Sequence, residues 1–179
     1  MKKTLLALLL LPAFAHAQTP PATNATDARF QSIYQAEWNW RVQQAPGYDE
    51  DSDNSARKPA YTLEDVSPAA QAQRLAYLDG VLKQLDGINP KALSAREQVN
   101  YAVYRPQIAH MAASLRFRDY EMPFNADSSF WSDLGFMAGA ELRDAAAYRA
   151  YAARLRDVPR HFDQQIANMR AGLARGFSA

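Results

Sequence analysis

The chain of 179 residues contains no cysteine. This absence excludes disulfide bonds, thiol catalysis and cysteine-rich metal sites. Glycine is scarce, with seven residues, and the sequence has neither a glycine-rich phosphate-binding loop nor a Gly-x-Ser-x-Gly nucleophile motif. The sequence therefore offers no persuasive catalytic set, and it leaves open whether the protein is an enzyme.

Histidine is also scarce, with three residues in the chain. His110 and His161 stand alone, outside any His-x-x-x-His or His-Glu-x-x-His pattern. Isolated histidines on separate helices are more often core or surface residues than zinc ligands. A zinc site built from these two residues and a carboxylate is the less favoured interpretation.

A short acidic segment has the spacing of a calcium loop without its other requirements. Asp49, Asp51 and Asp53 match the first ligand positions, but Asn54 replaces the glycine of the sharp turn. Ala60 stands where the bidentate glutamate is needed. We predict a solvated acidic loop, and we assign no catalytic or metal-binding residue to the chain.

Long hydrophobic runs are missing except at the N-terminus. Two lysines precede an apolar run at residues 5–11, and residues 15–17 form the small-x-small pattern of a cleavage site. The run is too short to span a membrane. We predict a signal peptide over residues 1–17, cleaved between Ala17 and Gln18, so that the protein is exported to the periplasm or secreted.

The charge balance restricts the partners. The formal net charge is +1 for the whole chain and becomes −1 when the leader is removed with its two lysines. A nearly neutral chain argues against nucleic acid or an anionic membrane as a partner. Residues 18–26 are rich in proline, threonine and alanine and are interpreted as a flexible leader, and residues 27–179 as one helical domain.

The strongest helical pattern lies between Asp144 and Gly176. Apolar residues recur there every three or four positions, which is the repeat of a helix with one apolar stripe. The stripe consists of Tyr148, Tyr151, Leu155, Val158, Phe162, Ile166, Met169 and Leu173. Because such a stripe must be covered, we expect other helices to pack on it. Asp144 is predicted to cap the N-terminus of this helix and Gly176 its C-terminus.

Three earlier segments are also predicted to be helical. The first begins at Asp27, with Trp38 in its apolar stripe and Trp40 at the margin. The second begins at Ser67, is followed by a proline at the first helical position, and ends at Gly87. Its stripe consists of Leu75, Leu78, Val81, Leu82 and Leu85.

A Ser-x-x-Glu capping box at Ser94 opens the third helix. Its apolar positions are predicted to be Val99, Val103, Ile108, Met111 and Leu115. Pro106 predicts a kink or a break into two shorter helices, and Pro159 predicts a kink in the last helix. No segment shows strand-like alternation. The predicted fold is all-α, an antiparallel, bundle-like array of four to six helices.

Residues 119–135 form a long aromatic-rich loop before the last helix. So many aromatic side chains require burial, and the loop is expected to fold against the helices. Two interpretations stay open: the loop plugs the bundle, which is favoured, or it lines a substrate cleft. The candidate cleft-facing residues are Tyr120, Asn125, Asp127, Ser128 and Trp131.

Six stretches, in their order and spacing, resemble one exported bacterial family, catalogued as domain of unknown function 885. They are residues 30–38, 65–68, 93–101, 127–131, 148–160 and 164–176. The resemblance covers nearly all of the chain after the leader. It implies a mostly helical, zincin-like protein that is much longer than this chain, with a zinc motif far downstream and metallopeptidase or carboxypeptidase activity.

The downstream zinc motif does not occur in this sequence. No catalytic or metal residue is therefore carried over, and zinc is expected only for a full-length form. We expect the chain to be a truncated member, the non-catalytic N-terminal lobe of such a protein. Its partners would be the missing C-terminal catalytic part and a peptide substrate. The alternative is a stand-alone exported helical binding or scaffold module.

Overall fold

The computed structural model describes residues 24–44, 60–125, 127–132, 134–135 and 142–177. These residues include four α-helices and two short 3₁₀ helices with described bounds. The α-helices are α1 (Ala25–Gln44), α2 (Pro68–Asp86), α3 (Ala95–Phe117) and α4 (Ala145–Ala174), and the 3₁₀ helices are Pro90–Ala92 and Asp119–Glu121. The described ranges contain no strand, so the prediction of an all-α fold is confirmed. The predicted signal peptide and the acidic segment at residues 49–53 lie outside the described residues.

Side-chain caps fix where the helices begin. The Ser67 hydroxyl accepts a hydrogen bond from the backbone N–H of Ala70 at 3.3 Å, and Pro68 takes the first helical position. The carboxylate of Asp144 accepts from the backbone N–H of Ala147 at 2.7 Å. These two predicted starts are confirmed, because each cap satisfies a backbone donor that the first helical turn leaves unpaired.

Two boundaries differ from the prediction in detail. Helix α1 begins at Ala25 rather than at Asp27, because the Asn24 side chain accepts from the backbone N–H of Asp27 at 2.7 Å and acts as the cap. Helix α3 continues through Pro106 without a break. Of the two outcomes predicted for that proline, separation into two helices therefore does not occur.

Contacts between α1, α2 and α3 give their directions. Arg105 of α3 binds Asp86 at the end of α2 at 2.7 Å, and Arg116 binds Asp79 at 2.7 Å, so these helices are antiparallel. Glu37 of α1 contacts Tyr104 of α3. Gln31 of α1 contacts Glu97 of α3. Because the earlier residue of α1 meets the earlier residue of α3, the two helices run in the same direction.

The main hydrophobic core lies between these three helices. Phe30 is fully buried and makes edge-on ring contacts with Tyr34, Tyr101 and Tyr104. The buried core residues are Phe30, Ile33, Leu78, Val81, Leu85, Ile88, Leu93, Tyr101, Ile108 and Ala112. Of the described residues in this core, none belongs to α4. The last helix must therefore be held by other interactions.

Of the two tryptophans of α1, Trp40 lies at the margin of the core as predicted, but the prediction that Trp38 belongs to the buried stripe was wrong. Trp40 is half-buried and stacks on Tyr77 of α2 with ring centroids 3.8 Å apart. Trp38 is 46% exposed, and its ring is covered by the guanidinium of Arg41 at 5.4 Å. The reason is that α2 packs on the side of α1 that carries Trp40.

The predicted apolar face of α3 was also partly wrong. Val99 and Val103 are 64% and 66% exposed. Ile108 is nine residues after Val99, and a helix turns by about 100° per residue, so these two side chains point in opposite directions. Tyr101 and Tyr104 occupy the core side instead.

Candidate functional site

Three of the five predicted cleft residues form one exposed turn. The side-chain oxygen of Asn125 accepts from the backbone N–H groups of Asp127 at 2.8 Å and Ser128 at 2.9 Å. The backbone N–H of Asn125 donates to the carbonyl of Ser128 at 2.8 Å. All three side chains are exposed. The amide of Asn125 therefore serves the turn itself, and the Asp127 carboxylate faces solvent.

Phe130 holds the aromatic part of the loop against α4. Phe130 is buried, with its ring centroid 4.9 Å from that of Phe162 on α4. The next residue, Trp131, is 51% exposed and lies 5.9 Å from Phe124. The loop therefore folds against α4 as expected, yet its largest aromatic side chain stays accessible to a ligand.

The fifth predicted residue is separate from the others. Tyr120 lies in the 3₁₀ helix Asp119–Glu121 and is half-buried. Burial, followed by the neighbouring Glu121 carboxylate, raises the pKa of Tyr120. In the part of the chain that the structure describes, Tyr120 has no hydrogen bond or ring contact with the other four candidates. Of the five candidates, the structure thus joins Asn125, Asp127 and Ser128 in one turn, and that the five line one cleft stays a prediction.

The two histidines are far from a metal-binding arrangement. His161 on α4 is buried, with Nδ1 3.1 Å from the carbonyl oxygen of Glu64. Because a carbonyl only accepts hydrogen bonds, Nδ1 carries the proton. His110 is exposed on α3. Among the described residues, no group of three or more histidine, aspartate or glutamate side chains could hold a metal ion.

Helix α4 is attached to the chain through its polar side. The extended residues 63–66 run along this helix, and its side chains complete their backbone hydrogen bonds. Asp157 accepts from the N–H of Leu63 at 2.7 Å, and Gln164 accepts from the N–H of Val66 at 3.1 Å. Asn168, which is 1% exposed, donates to the carbonyl of Val66 at 2.8 Å. Side chains of α4 thus provide hydrogen-bond partners for backbone N–H and C=O groups of residues 63–66, which belong to no helix.

An ion pair strengthens this attachment. Arg160 binds the carboxylate of Asp157 at 2.6 Å and donates to the carbonyl of Leu63 at 3.0 Å. The Arg160 guanidinium holds the pKa of Asp157 below its usual value, and the Asp157 carboxylate raises the pKa of Arg160. The charged forms of both side chains are therefore the ones that hold residues 63–66 against α4.

The C-terminal end of α4 is attached by close backbone packing. A side chain at Gly172 would meet the carbonyl oxygen of Glu121 at 2.8 Å, so glycine is required for this approach. The Glu121 carboxylate is buried and accepts from the guanidinium of Arg175. The 3₁₀ helix Asp119–Glu121 is thereby fixed on α4.

The buried side of α4 does not coincide with its predicted apolar stripe. The buried residues are Ala150, His161, Gln165, Asn168 and Gly172. At about 100° per residue, this set is centred about 100° around the helix from the stripe. The expectation that helices cover the stripe was therefore wrong for its outer edge, because polar contacts with residues 63–66 determine how α4 is oriented.

The outer edge of the stripe forms an accessible surface, which we call the α4 outer face. It consists of Tyr148, Leu155, Ile166 and Leu173. Tyr148 is 61% exposed, Leu155 47% and Leu173 69%, and Ile166 is partly covered. The inner edge, which includes Phe162, is partly covered by the loop. Large apolar side chains aligned on one accessible face are typical of a protein-binding surface.

Two buried carboxylates in the helical core were missed by the sequence analysis. Glu37 is fully buried and accepts from Arg41 at 2.5 Å and from the Tyr104 hydroxyl at 2.9 Å. Glu97 is 1% exposed, and its carboxylate accepts from Gln31 at 2.9 Å. Both are saturated with partners, so they stabilise the fold and are not available as general bases. The i,i+4 spacing of Glu37 and Arg41 is the signal that could have revealed the first.

Comparison with known proteins identifies a family. Nothing among curated proteins and nothing among solved structures matches the chain. The model of one family, described as bacterial protein of unknown function (DUF885), matches residues 47–179. This range includes α2, α3, the loop and α4, and it covers well over half of the sequence. The chain therefore belongs to the DUF885 family of bacterial proteins.

Proposed function

We propose that this chain is a non-catalytic helical lobe of an exported, zincin-like metallopeptidase, and that the α4 outer face is the surface on which the rest of such a protein docks. Membership of the DUF885 family supports this proposal. The peptidase activity is what the resemblance to that family, described above, implies. The lobe would orient the metal-binding part and form one wall of a peptide cleft.

The observation that carries this proposal is the exposure of the α4 outer face. Leu155 and Leu173 are 47% and 69% exposed on a helix whose polar side is the packed one. Leaving a leucine side chain in water forgoes about 1.5–3 kcal/mol of burial free energy. A second protein segment that covered this face would recover the part of that free energy that belongs to the still exposed surface.

Zinc does not fit the residues that the structure describes. His161 is bound to the Glu64 carbonyl, and no cluster of three potential ligands exists in the described ranges. We therefore assign no metal ligand and no catalytic step to these residues. In this proposal, zinc belongs to the docked part of the protein.

Export is part of the proposal and is supported by the sequence pattern of residues 1–17. No helix in the described part of the chain is long and apolar enough to cross a membrane. We expect mass spectrometry of the protein recovered from the periplasm to give a mature N-terminus at Gln18.

The test is reconstitution in two parts. The purified chain is mixed with a separately produced metal-binding part of a full-length family member, and cleavage of peptide substrates is followed with and without a zinc chelator. We expect the two parts to form a one-to-one complex, and peptidase activity to rise on addition of the chain. Substituting Leu155→Asp together with Leu173→Asp should abolish both effects while the melting temperature stays unchanged.

A different result would identify the stand-alone module. If the metal-binding part is fully active alone and does not bind the chain, the lobe assignment is wrong. In that case the favoured function is that of an exported binding module, for which the accessible Trp131 and Phe124 offer a ligand surface.

A further inference from the structure

Charged residues beside the α4 outer face indicate the chemistry of its partner. Arg149, Arg156 and Arg170 are exposed on α4. At about 100° per residue, they lie about 40–100° from the line of exposed apolar residues, all on the same side. Asp163 is the one exposed carboxylate on this strip of α4. The face is therefore an apolar line with a predominantly positive border.

Within the described part of the chain, these arginines do not hold the fold together. The ion pairs that arginines of α4 and its C-terminal cap make with described residues include Arg160 with Asp157 and Arg175 with Glu121. Among the described residues, no ion pair joins Arg149, Arg156 or Arg170 to a carboxylate. Exposed guanidinium groups beside an apolar line are suited to a ligand with carboxylates at the matching positions.

The spacing of the face specifies the form of that ligand. From Tyr148 to Leu173 the face extends over about 37 Å, at about 1.5 Å per residue. Its apolar residues are separated by seven or eleven positions, so the side chains recur every two or three helical turns. A second helix laid along α4 presents apolar residues with the same repeat.

We propose that the α4 outer face binds an amphipathic helix whose apolar stripe is bordered by glutamate or aspartate residues. This inference rests on the proposed function, in which the partner helix belongs to the docked part of the protein. It adds that this helix is negatively charged beside its apolar stripe. A second copy of the chain is disfavoured as the occupant. Antiparallel pairing of α4 with itself would bring two arginine borders close to each other.

The test uses two designed peptides of about six turns with the same leucine stripe, one bordered by glutamate and one by lysine. Binding of each fluorescent peptide to the purified chain is measured by anisotropy at low and high salt. Three exposed ion pairs predict that the acidic peptide binds about tenfold or more tightly than the basic one at low salt. The difference should shrink at high salt, because exposed charges are screened.

Charge reversal locates the effect on the protein. The double substitution Arg149→Glu and Arg156→Glu should weaken binding of the acidic peptide and strengthen binding of the basic one. Lys83→Glu with Lys91→Glu makes the same change in net charge at exposed positions outside α4, and should leave the preference for the acidic peptide intact. Leu155→Asp should weaken the binding of both peptides. Circular dichroism of each variant checks that the fold is retained.

Three results would overturn the inference. They are equal affinity for the two peptides, an equal loss in the Lys83 and Lys91 control, and a dimer of the chain that Leu155→Asp dissociates. The last would assign the face to a second copy. Because peptide binding is measured without any peptidase, failure of the reconstitution and failure of this inference are distinguishable.

Discussion

Glu37 shows how this fold accommodates a carboxylate with no exposure to solvent. Its oxygens accept from the Arg41 guanidinium and from the Tyr104 hydroxyl. Burial, followed by the hydrogen bond to Glu37, raises the pKa of Tyr104 well above its ordinary value. The phenol therefore keeps its proton and stays a donor well above neutral pH. Removal of that donor leaves a buried charge with fewer partners, which is costly.

We predict that Tyr104→Phe lowers the free energy of unfolding by about 1.5–3 kcal/mol, the range for a hydrogen bond to a charged group. The matched control is Tyr148→Phe, which removes the same hydroxyl from a side chain that is 61% exposed. The control should change stability by less than about 0.5 kcal/mol. Urea denaturation of both variants measures the difference, and equal effects would contradict the role given to Tyr104.

Asp157 links the attachment of α4 to pH. Its pKa is lowered in the folded protein, chiefly by Arg160, so the unfolded chain binds the proton first as the pH falls. The stabilisation is therefore fully present above the ordinary aspartate pKa of about 3.9, and it is lost as the pH falls through the lower folded value. The pKa of Asp65 and that of Glu97 are lowered as well, and they act in the same direction.

We expect Asp157→Asn to lower the free energy of unfolding by about 1–3 kcal/mol at pH 7 and by less at pH 3, where part of the charge-dependent stabilisation is already lost. Thermal denaturation across this range gives the two differences. The control is Asp163→Asn, an exposed carboxylate on the same helix, which should shift the curve little at either pH. A constant difference between wild type and Asp157→Asn would show that the carboxylate charge does not hold α4.

At the scale of single residues, local spacing predicts only part of the polar network. The pairing of Glu37 with Arg41 is readable from the sequence because the two residues are one helical turn apart. The bond from Tyr104 to Glu37 spans 67 positions, and the bond from the backbone N–H of Val66 to Gln164 spans 98. Such partners depend on how the helices are arranged, which periodicity does not specify.

Helix α4 is oriented by hydrogen bonds rather than by its apolar stripe. The start at Asp144 and the extent of the helix were predicted correctly, since caps and periodicity are local signals. The buried side of α4 was not predicted correctly. The stripe shows which residues are apolar, but it does not show which other segments of the chain pack on the helix. Residues 63–66 have no helical periodicity, and their bonds to Asp157, Gln164 and Asn168 turn the polar side inward.

The contact between α4 and the 3₁₀ helix Asp119–Glu121 gives a prediction with opposite signs at two glycines. Gly172→Ala places a methyl group 2.8 Å from the backbone oxygen of Glu121, and it should destabilise the protein by about 1–3 kcal/mol. Gly80→Ala in α2 has no atom within 4 Å of the new carbon. It should stabilise by about 0.5–1 kcal/mol through helix propensity.

Urea denaturation of the two alanine variants checks the pair. A stabilising effect of Gly172→Ala would mean that α4 and the 3₁₀ helix are further apart than described. Among the five loop residues predicted to face a cleft, Asn125, Asp127 and Ser128 are exposed, and that they line a cleft stays a prediction. The sequence did not indicate that the Asn125 side chain is engaged in forming the turn.

The whole molecule, as far as it is described, is a three-helix core to which α4 is attached along its side. The stripe of α2 is a local pattern that the sequence predicts well, and Leu78, Val81 and Leu85 are buried as expected. The core side of α3, which carries Tyr101 and Tyr104, was not predicted. Because α4 is attached through its polar side, its apolar outer face is exposed. That exposed face is the evidence for a binding partner. The central claim is that α4 packs through its polar side and leaves its apolar line accessible.

The most direct measurement is the fluorescence of a hydrophobic dye with the purified chain and with a variant carrying Tyr148→Gln, Leu155→Gln and Leu173→Gln. We predict strong dye binding by the wild type, loss of that binding in the variant, and an unchanged melting temperature, because the three side chains are already exposed. Absence of dye binding by the wild type, or a large drop in the melting temperature of the variant, would show that the stripe is buried and would contradict this account.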